Sequence, residues 1–194
     1  RVETAKAFFD SIGSDDFYMS DCWGEVHPIY KKYDYFGGKS WTFGILHSFG
    51  GNAHLHGHLD GLAKRVQAVE SDPKASKCLG LYSNPEIIHY NELYFDLAAQ
   101  LSWDPRDFDL EAYLGDYSLR RYGSESAPRL KSALDLLAVS VYGTNDITPG
   151  YYQTRLGVPL ALSDERFRYF SSLNAALELM LSEQQHQQGN LLYS

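Results

Sequence analysis

Cys78-Leu79-Gly80-Leu81-Tyr82-Ser83-Asn84-Pro85-Glu86-Ile87-Ile88-His89-Tyr90-Asn91-Glu92-Leu93-Tyr94-Phe95 reads as a short apolar strand running straight into a helix. The strand candidate is Cys78–Tyr82, and Ile88, Leu93, Leu97 and Leu101 predict a helix over about 85–102. Working outward, Trp41–Leu46 is a second strand candidate, apolar almost throughout, as in a sheet buried on both faces. Asp16–Cys22 is an aromatic-rich third. Leu55, Leu59, Leu62 and Val66 predict a helix over about 53–70, and residues 3–12 read as the end of an amphipathic helix stopped by Gly13. Short strands alternating with long helices indicate parallel βαβ units.

After Trp103 the texture changes. Asp109 can cap a helix over 110–122 that Gly123 ends, and a second helix over about 127–142 runs up to Gly143. The turn-rich connector TNDITPGYYQTRLGVP leads to a last helix over about 164–186, with no strand pattern in this half. The expected division is an α/β part over 1–106 followed by an all-α part over 107–194.

Composition sets the class. The chain has 194 residues, 44% of them hydrophobic and 14% aromatic, enough to bury a sizeable core. Its 15 tyrosines and 10 phenylalanines suit sugar-binding surfaces as well as cores. The net charge of -8 argues against nucleic acid, since Lys31-Lys32 and Arg120-Arg121 are too short to make a basic stripe. No apolar run is long enough to span a bilayer as a helix. Cys22 and Cys78 show no metal or redox spacing; placed on separate strands, they leave a disulfide open. The chain opens inside a helix pattern without Met and is read as a segment of a longer protein.

Glu86 and Glu92 are the carboxylates on which function turns. Ser83-x-x-Glu86 fits a capping box, with Pro85 comfortable in the first helical turn. Alternatively, Glu86 stands where a buried parallel strand hands over to a helix, the edge where α/β enzymes place their sites. On one continuous helix Glu92 would lie about 240° round from Glu86, so the two would not form an acid/base couple. Glu92 is then a supporting, hydrogen-bonded or salt-bridged residue. Glu25 occupies the equivalent edge after the first strand, where a plain loop carboxylate is the rival reading. His54-x-His56-x-His58 would converge on a metal if it were a strand. At a helix start it does not, so no metal or cofactor is expected. His47, just after a buried strand, is a better candidate for a pocket contact.

The blocks SDCWGEVHPIY, SWTFGILHSFGGN, NPEIIHYNELYFDLAAQLSW and YSLRRYG together resemble the α-N-acetylglucosaminidases of glycoside hydrolase family 89, over much of residues 15–123. That resemblance implies the last βα units of a (β/α)8 TIM-type barrel, incomplete in this chain, followed by the start of a helical domain. It implies a retaining exo-α-N-acetylglucosaminidase with Glu86 as nucleophile and the general acid/base outside the chain, so that this segment alone would be inactive. It further implies a sugar pocket drawing on Leu46, Phe49 and Glu25, with Trp23, Tyr82 and His47 as added wall and contact candidates, and Asn91 and Glu92 behind Glu86. The family often has Asn at the position of Ser48 and Trp at that of Phe43. Expected partners are an α-N-acetylglucosaminyl glycan and the remaining N-terminal part of the same protein, with a homo-oligomer left open. The expected compartment is lysosomal or secreted, and the expected biology includes glycosaminoglycan degradation.

The chemistry is consistent with a carboxylate. In an α-linked N-acetylglucosaminide the leaving oxygen and the 2-acetamido group share one side, which blocks backside attack by the acetamido oxygen. The enzyme must supply its own nucleophile, about 5–5.5 Å from its acid/base partner. The alternatives are another barrel glycosidase, such as an α-glucuronidase, and a non-catalytic carbohydrate-binding module. The first would need a basic residue for the uronate, and the second has no reason to place Glu86 behind Pro85 at a strand end.

Overall fold

The computed structural model describes residues 2–13, 17–47, 49, 56–86, 91–144 and 170–193. By internal contact they fall into two compact units, one drawn from 1–53 and 60–107, the other from 54–59 and 108–194.

The first unit is built on a three-stranded parallel sheet. Strands β1 (Met19–Asp21) and β2 (Trp41–Ile45) pair with Met19 opposite Trp41 and Asp21 opposite Phe43. The register between β2 and strand β4 (Cys78–Ser83) places Trp41 against Cys78 and Ile45 against Ser83. It shifts by one residue between Trp41 and Phe43, where Gly80 in β4 takes a φ of 133°. That is the signature of a β-bulge. Strand β2 is the central one, and Trp41, Phe43 and Ile45 are all buried. These three alternate onto one face of the strand; on the other face Gly44 is buried and Thr42 half-buried.

Gly44 shows how closely β1 and β2 approach. A Cβ there would lie 2.5 Å from the carbonyl oxygen of Asp21 and 2.8 Å from the Cα of Cys22. Only a hydrogen fits, which lets the Gly44 carbonyl accept from the N–H of Gly24 at 2.9 Å. Asp21 is itself buried, and its Oδ2 accepts from the N–H groups of Ile29 (2.9 Å) and Tyr30 (3.1 Å). Burial raises its carboxyl pKa, and those two donors oppose the shift.

Helix α1 (Val2–Ser11) buries Phe9, which meets Phe36 edge-on at 6.0 Å. Phe36 belongs to α2 (Asp34–Gly37), a single left-handed turn with φ values of 48°, 52° and 56° at Asp34, Tyr35 and Phe36. Three successive non-glycine residues in that conformation cost about 1–2 kcal/mol each. The surroundings hold them: Phe36 is buried beside Trp41, and the Tyr35 hydroxyl donates to Asp72 at 2.5 Å. Tyr30 stacks on Trp41 at 4.8 Å.

Helix α3 (Leu59–Glu70) buries Leu62, Ala63 and Val66, and α4 (Glu92–Trp103), which packs against β4, buries Leu93, Tyr94, Leu97, Ala98 and Leu101. Both begin later than their apolar spacing predicts. Residues 56–58 precede α3: strand β3 (Gly57–His58) pairs antiparallel with β5 (Gly143–Thr144) in the second unit. The half expected to lack strands thus supplies one short strand among the described residues. His56 and His58 are outside the helix that was to carry them, and His54 and Leu55 lie outside the described residues. Among the described residues no group of three or more His, Cys, Asp or Glu could hold a metal ion. Cys22 is in the exposed turn after β1 rather than on it; Cys78 starts β4, and both thiols are free.

In the second unit α5 (Leu110–Ala138) begins at Asp109, whose side chain accepts from the N–H of Ala112 at 2.7 Å. The helix breaks where expected, at Gly123, with φ 76° and ψ 167°. Helix α6 (Phe170–Tyr193) packs against α5, and its buried Glu183 accepts from Ser126 and pairs with Arg129 at 2.7 Å. Ser126 and Arg129 hold its carboxyl below the usual range, the Ser126 hydroxyl having the larger effect. The predicted connector lies outside the described residues beyond Thr144, as does the part of the predicted last helix before Phe170. No helix among the described residues is long and apolar enough to cross a membrane.

Candidate active site at the carboxyl edge of the sheet

Three parallel strands send their chain exits to one edge. Asp21, Ile45 and Ser83 end the strands, so Trp23 and Glu25, then Leu46, His47 and Phe49, and Glu86 all leave the sheet on the same side. The N–H of Asn84 donates to the carbonyl of Ile45 at 2.9 Å and continues the pairing one residue past β4.

Behind β1 the chain turns tightly. His27 N–H donates to the Trp23 carbonyl at 2.8 Å, and the Trp23 ring meets His27 edge-on at 4.8 Å. The same indole meets Phe49 at 5.8 Å with an interplanar angle of 89°. The structure therefore unites two expected pocket walls, Trp23 and Phe49, in one aromatic corner. Tyr82 near the end of β4 is exposed.

Glu25 is 1% exposed. Its Oε1 accepts from two consecutive backbone N–H groups, those of Leu46 (2.9 Å) and His47 (2.7 Å). Its own carbonyl accepts from Arg65 Nη1 at 2.7 Å. Burial pushes the Glu25 carboxyl up to about 7, against the pull of those N–H groups and of the Arg65 charge. His47 is buried too, with φ at 51°, and its ring stacks on Tyr94 at 4.0 Å and 12°. Phe95 meets that ring edge-on at 5.6 Å. Tyr94 is fully enclosed, and its phenol pKa is raised well above the ordinary value, first by burial and then by the nearby Glu25 charge.

Glu86 lies in an exposed bend after β4, not in the first turn of a helix. The described helix starts at Glu92, and its cap is Asn91, whose Oδ1 accepts from the N–H of Tyr94 at 3.4 Å. This corrects the capping-box reading of Ser83-x-x-Glu86: Ser83 ends β4, and neither Pro85 nor Glu86 is in a helical turn. It also removes the 240° argument, since Glu86 and Glu92 do not share one continuous helix. Asn91 instead holds the helix start, and Glu92 is exposed in its first turn. Residues 87–90 lie outside the described residues.

Sequence reasoning missed Arg65, Tyr94 and Asp21. Arg65 and Tyr94 sit within apolar helical patterns, where only the tertiary partner reveals a polar task. For Gly44 a signal existed: an isolated glycine in an apolar strand marks close backbone approach.

Residues 1–105 match the family described as the alpha-N-acetylglucosaminidase (NAGLU) TIM-barrel domain. The chain is 36% identical over 139 residues to the alpha-N-acetylglucosaminidase of Homo sapiens, covering 71% of this chain and 18% of that protein. It is also similar in structure to CpGH89 from Clostridium perfringens, solved in complex with its substrate GlcNAc-alpha-1,4-galactose. That match has a TM-score of 0.65 at 21% identity and covers 86% of this chain and 19% of that one. The chain thus spans about a fifth of the length of these relatives.

Proposed function

The chain belongs to the alpha-N-acetylglucosaminidase TIM-barrel family, and from that membership we propose that it is part of a retaining exo-α-N-acetylglucosaminidase with Glu86 as nucleophile. Residues 1–106 contribute the last βα units of the (β/α)8 barrel, and 107–194 begin a helical domain. The general acid/base comes from outside these 194 residues, and the isolated segment is inactive. The substrate is a glycan ending in α-linked N-acetylglucosamine.

The observation that carries this reading is the setting of Glu86. It is an exposed carboxylate at the exit of a parallel strand, on the edge it shares with Trp23, Leu46, His47 and Phe49. An accessible carboxylate can attack the anomeric carbon and form a glycosyl ester, which water then cleaves. Its partner protonates the leaving oxygen in the first step and activates water in the second. The Trp23–Phe49 corner gives the sugar an apolar wall, with Leu46 and Tyr82 beside it. In the full-length enzyme, Glu86→Ala should abolish hydrolysis of an aryl α-N-acetylglucosaminide, and azide should restore part of it by taking the vacated nucleophile position. Full activity of that variant without azide would refute the assignment.

A further inference from the structure

We propose that Glu25 is a positioning residue which clamps the exit of β2, and that it does not contact the sugar. The inference rests on the active-site reading above, since it assigns a task within that pocket.

A substrate ligand must present an atom to the substrate. Glu25 is 1% exposed and spends Oε1 on two backbone donors, Leu46 and His47. Consecutive N–H groups ending in a left-handed residue form a small anion-binding concavity. Here the acceptor comes from the protein's own chain, 21 and 22 positions earlier.

The clamp has a reason to exist. His47 has a φ of 51°, a conformation that a non-glycine residue holds only when its surroundings enforce it. Glu25 enforces it from one side through the His47 N–H. Tyr94 enforces it from the other by stacking on the imidazole at 4.0 Å. Arg65 of α3 in turn fixes the backbone of Glu25 at 2.7 Å. Three chain exits therefore meet: the turn after β1, the loop after β2, and the first turn of α4 beyond the segment carrying Glu86. Leu46 and Phe49 flank the clamped residue and line the proposed sugar wall. The clamp sets where that wall stands, while the strand ladder and the Gly24–Gly44 bond hold the sheet independently.

The test uses the full-length enzyme, a 4-nitrophenyl α-N-acetylglucosaminide, and three substitutions. Glu25→Gln retains an acceptor at the same reach and should stay within about 3-fold of the parent in both kcat and KM. Glu25→Asp withdraws the acceptor by one methylene, and Glu25→Ala removes it. Both should lower kcat/KM, by up to about 100-fold in the alanine variant, with the loss falling mainly on KM because the wall is displaced. A Gln variant as impaired as Ala would show that the charge acts on substrate, and would overturn the proposal. So would unchanged KM in Asp and Ala alongside a lowered melting temperature, which marks a structural residue only. If Ala fails to fold, the Asp and Gln pair decides alone. Glu86→Ala with azide, measured in parallel, reports on the functional reading separately. Failed rescue there removes the nucleophile, whereas normal rescue with unaltered KM in the Glu25 series removes only the clamp.

Discussion

Replacing Gly44 with alanine tests whether the edge depends on the close approach of β1 and β2. The new Cβ would sit 2.5 Å from the Asp21 carbonyl oxygen and 2.8 Å from the Cys22 Cα, where ordinary contact begins near 3.4 Å. Both neighbours are backbone, so no side chain can swing away, and the strands must part locally by about 1 Å. That lengthens the 2.9 Å bond from Gly24 to the Gly44 carbonyl beyond useful reach. Overpacking costs about 1–3 kcal/mol and a lost hydrogen bond about 1 kcal/mol, so the substitution should destabilise by about 3 kcal/mol. Urea unfolding followed by tryptophan fluorescence is a suitable assay, because Trp23 adjoins Cys22 and Gly24, and Trp41 is buried in the same strand as Gly44. At an m-value of about 1–3 kcal/mol/M the midpoint should fall by roughly 1–3 M. Gly115→Ala is the control: it lies in α5 with nothing within 4 Å, and should stabilise by about 0.5–1 kcal/mol. A Gly44→Ala midpoint no lower than the parent's would refute the packing argument.

Three further outcomes are expected. Asn91→Ala should cost about 1 kcal/mol by uncapping α4, with Asn91→Asp nearly neutral; equal unfolding midpoints for the two variants would count against the cap. Gly123→Ala should cost about 1–3 kcal/mol although nothing crowds the site, because φ 76° with ψ 167° is open essentially to glycine alone; calorimetry that shows no loss would contradict the kink. Burial holds the Glu25 carboxyl near 7 instead of 4.5, so folding favours its protonated form. The resulting stability is fully present below about pH 4.5 and is lost as pH rises through about 7; Glu25→Gln should flatten that slope, and an unaltered slope would exclude Glu25 as its source.

What the sequence made legible follows from how local each signal is. The apolar run Trp41–Ile45 announces the buried central strand, and Leu93, Leu97 and Leu101 announce the buried face of α4. The Asp109 cap and the break at Gly123 depend on neighbours in the chain, and both were readable. The start of α4 was not, because Ser83 and Asn91 are both competent caps and packing chooses between them. His58 looked helical for a similar reason: its strand exists only through pairing with Gly143, far along the chain. Within the site, Trp23, Glu25 and His47 stood out as chemistry-bearing residues at strand exits. What Glu25 bonds to did not, since its partners are backbone N–H groups and no residue type advertises them.

The left-handed turn at Asp34–Gly37 has a kinetic consequence. Isolated chain disfavours that conformation at three non-glycine positions, so it cannot serve as a folding nucleus. It becomes favourable only once Phe9 and Trp41 enclose Phe36, and Asp72 receives the Tyr35 hydroxyl. The turn therefore depends on tertiary contacts at the foot of the sheet, and is expected to close after the elements that enclose it. Weakening it, as in Tyr35→Phe, should accelerate unfolding and leave the refolding rate nearly unchanged in stopped-flow measurements, and a slowed refolding limb would contradict that order.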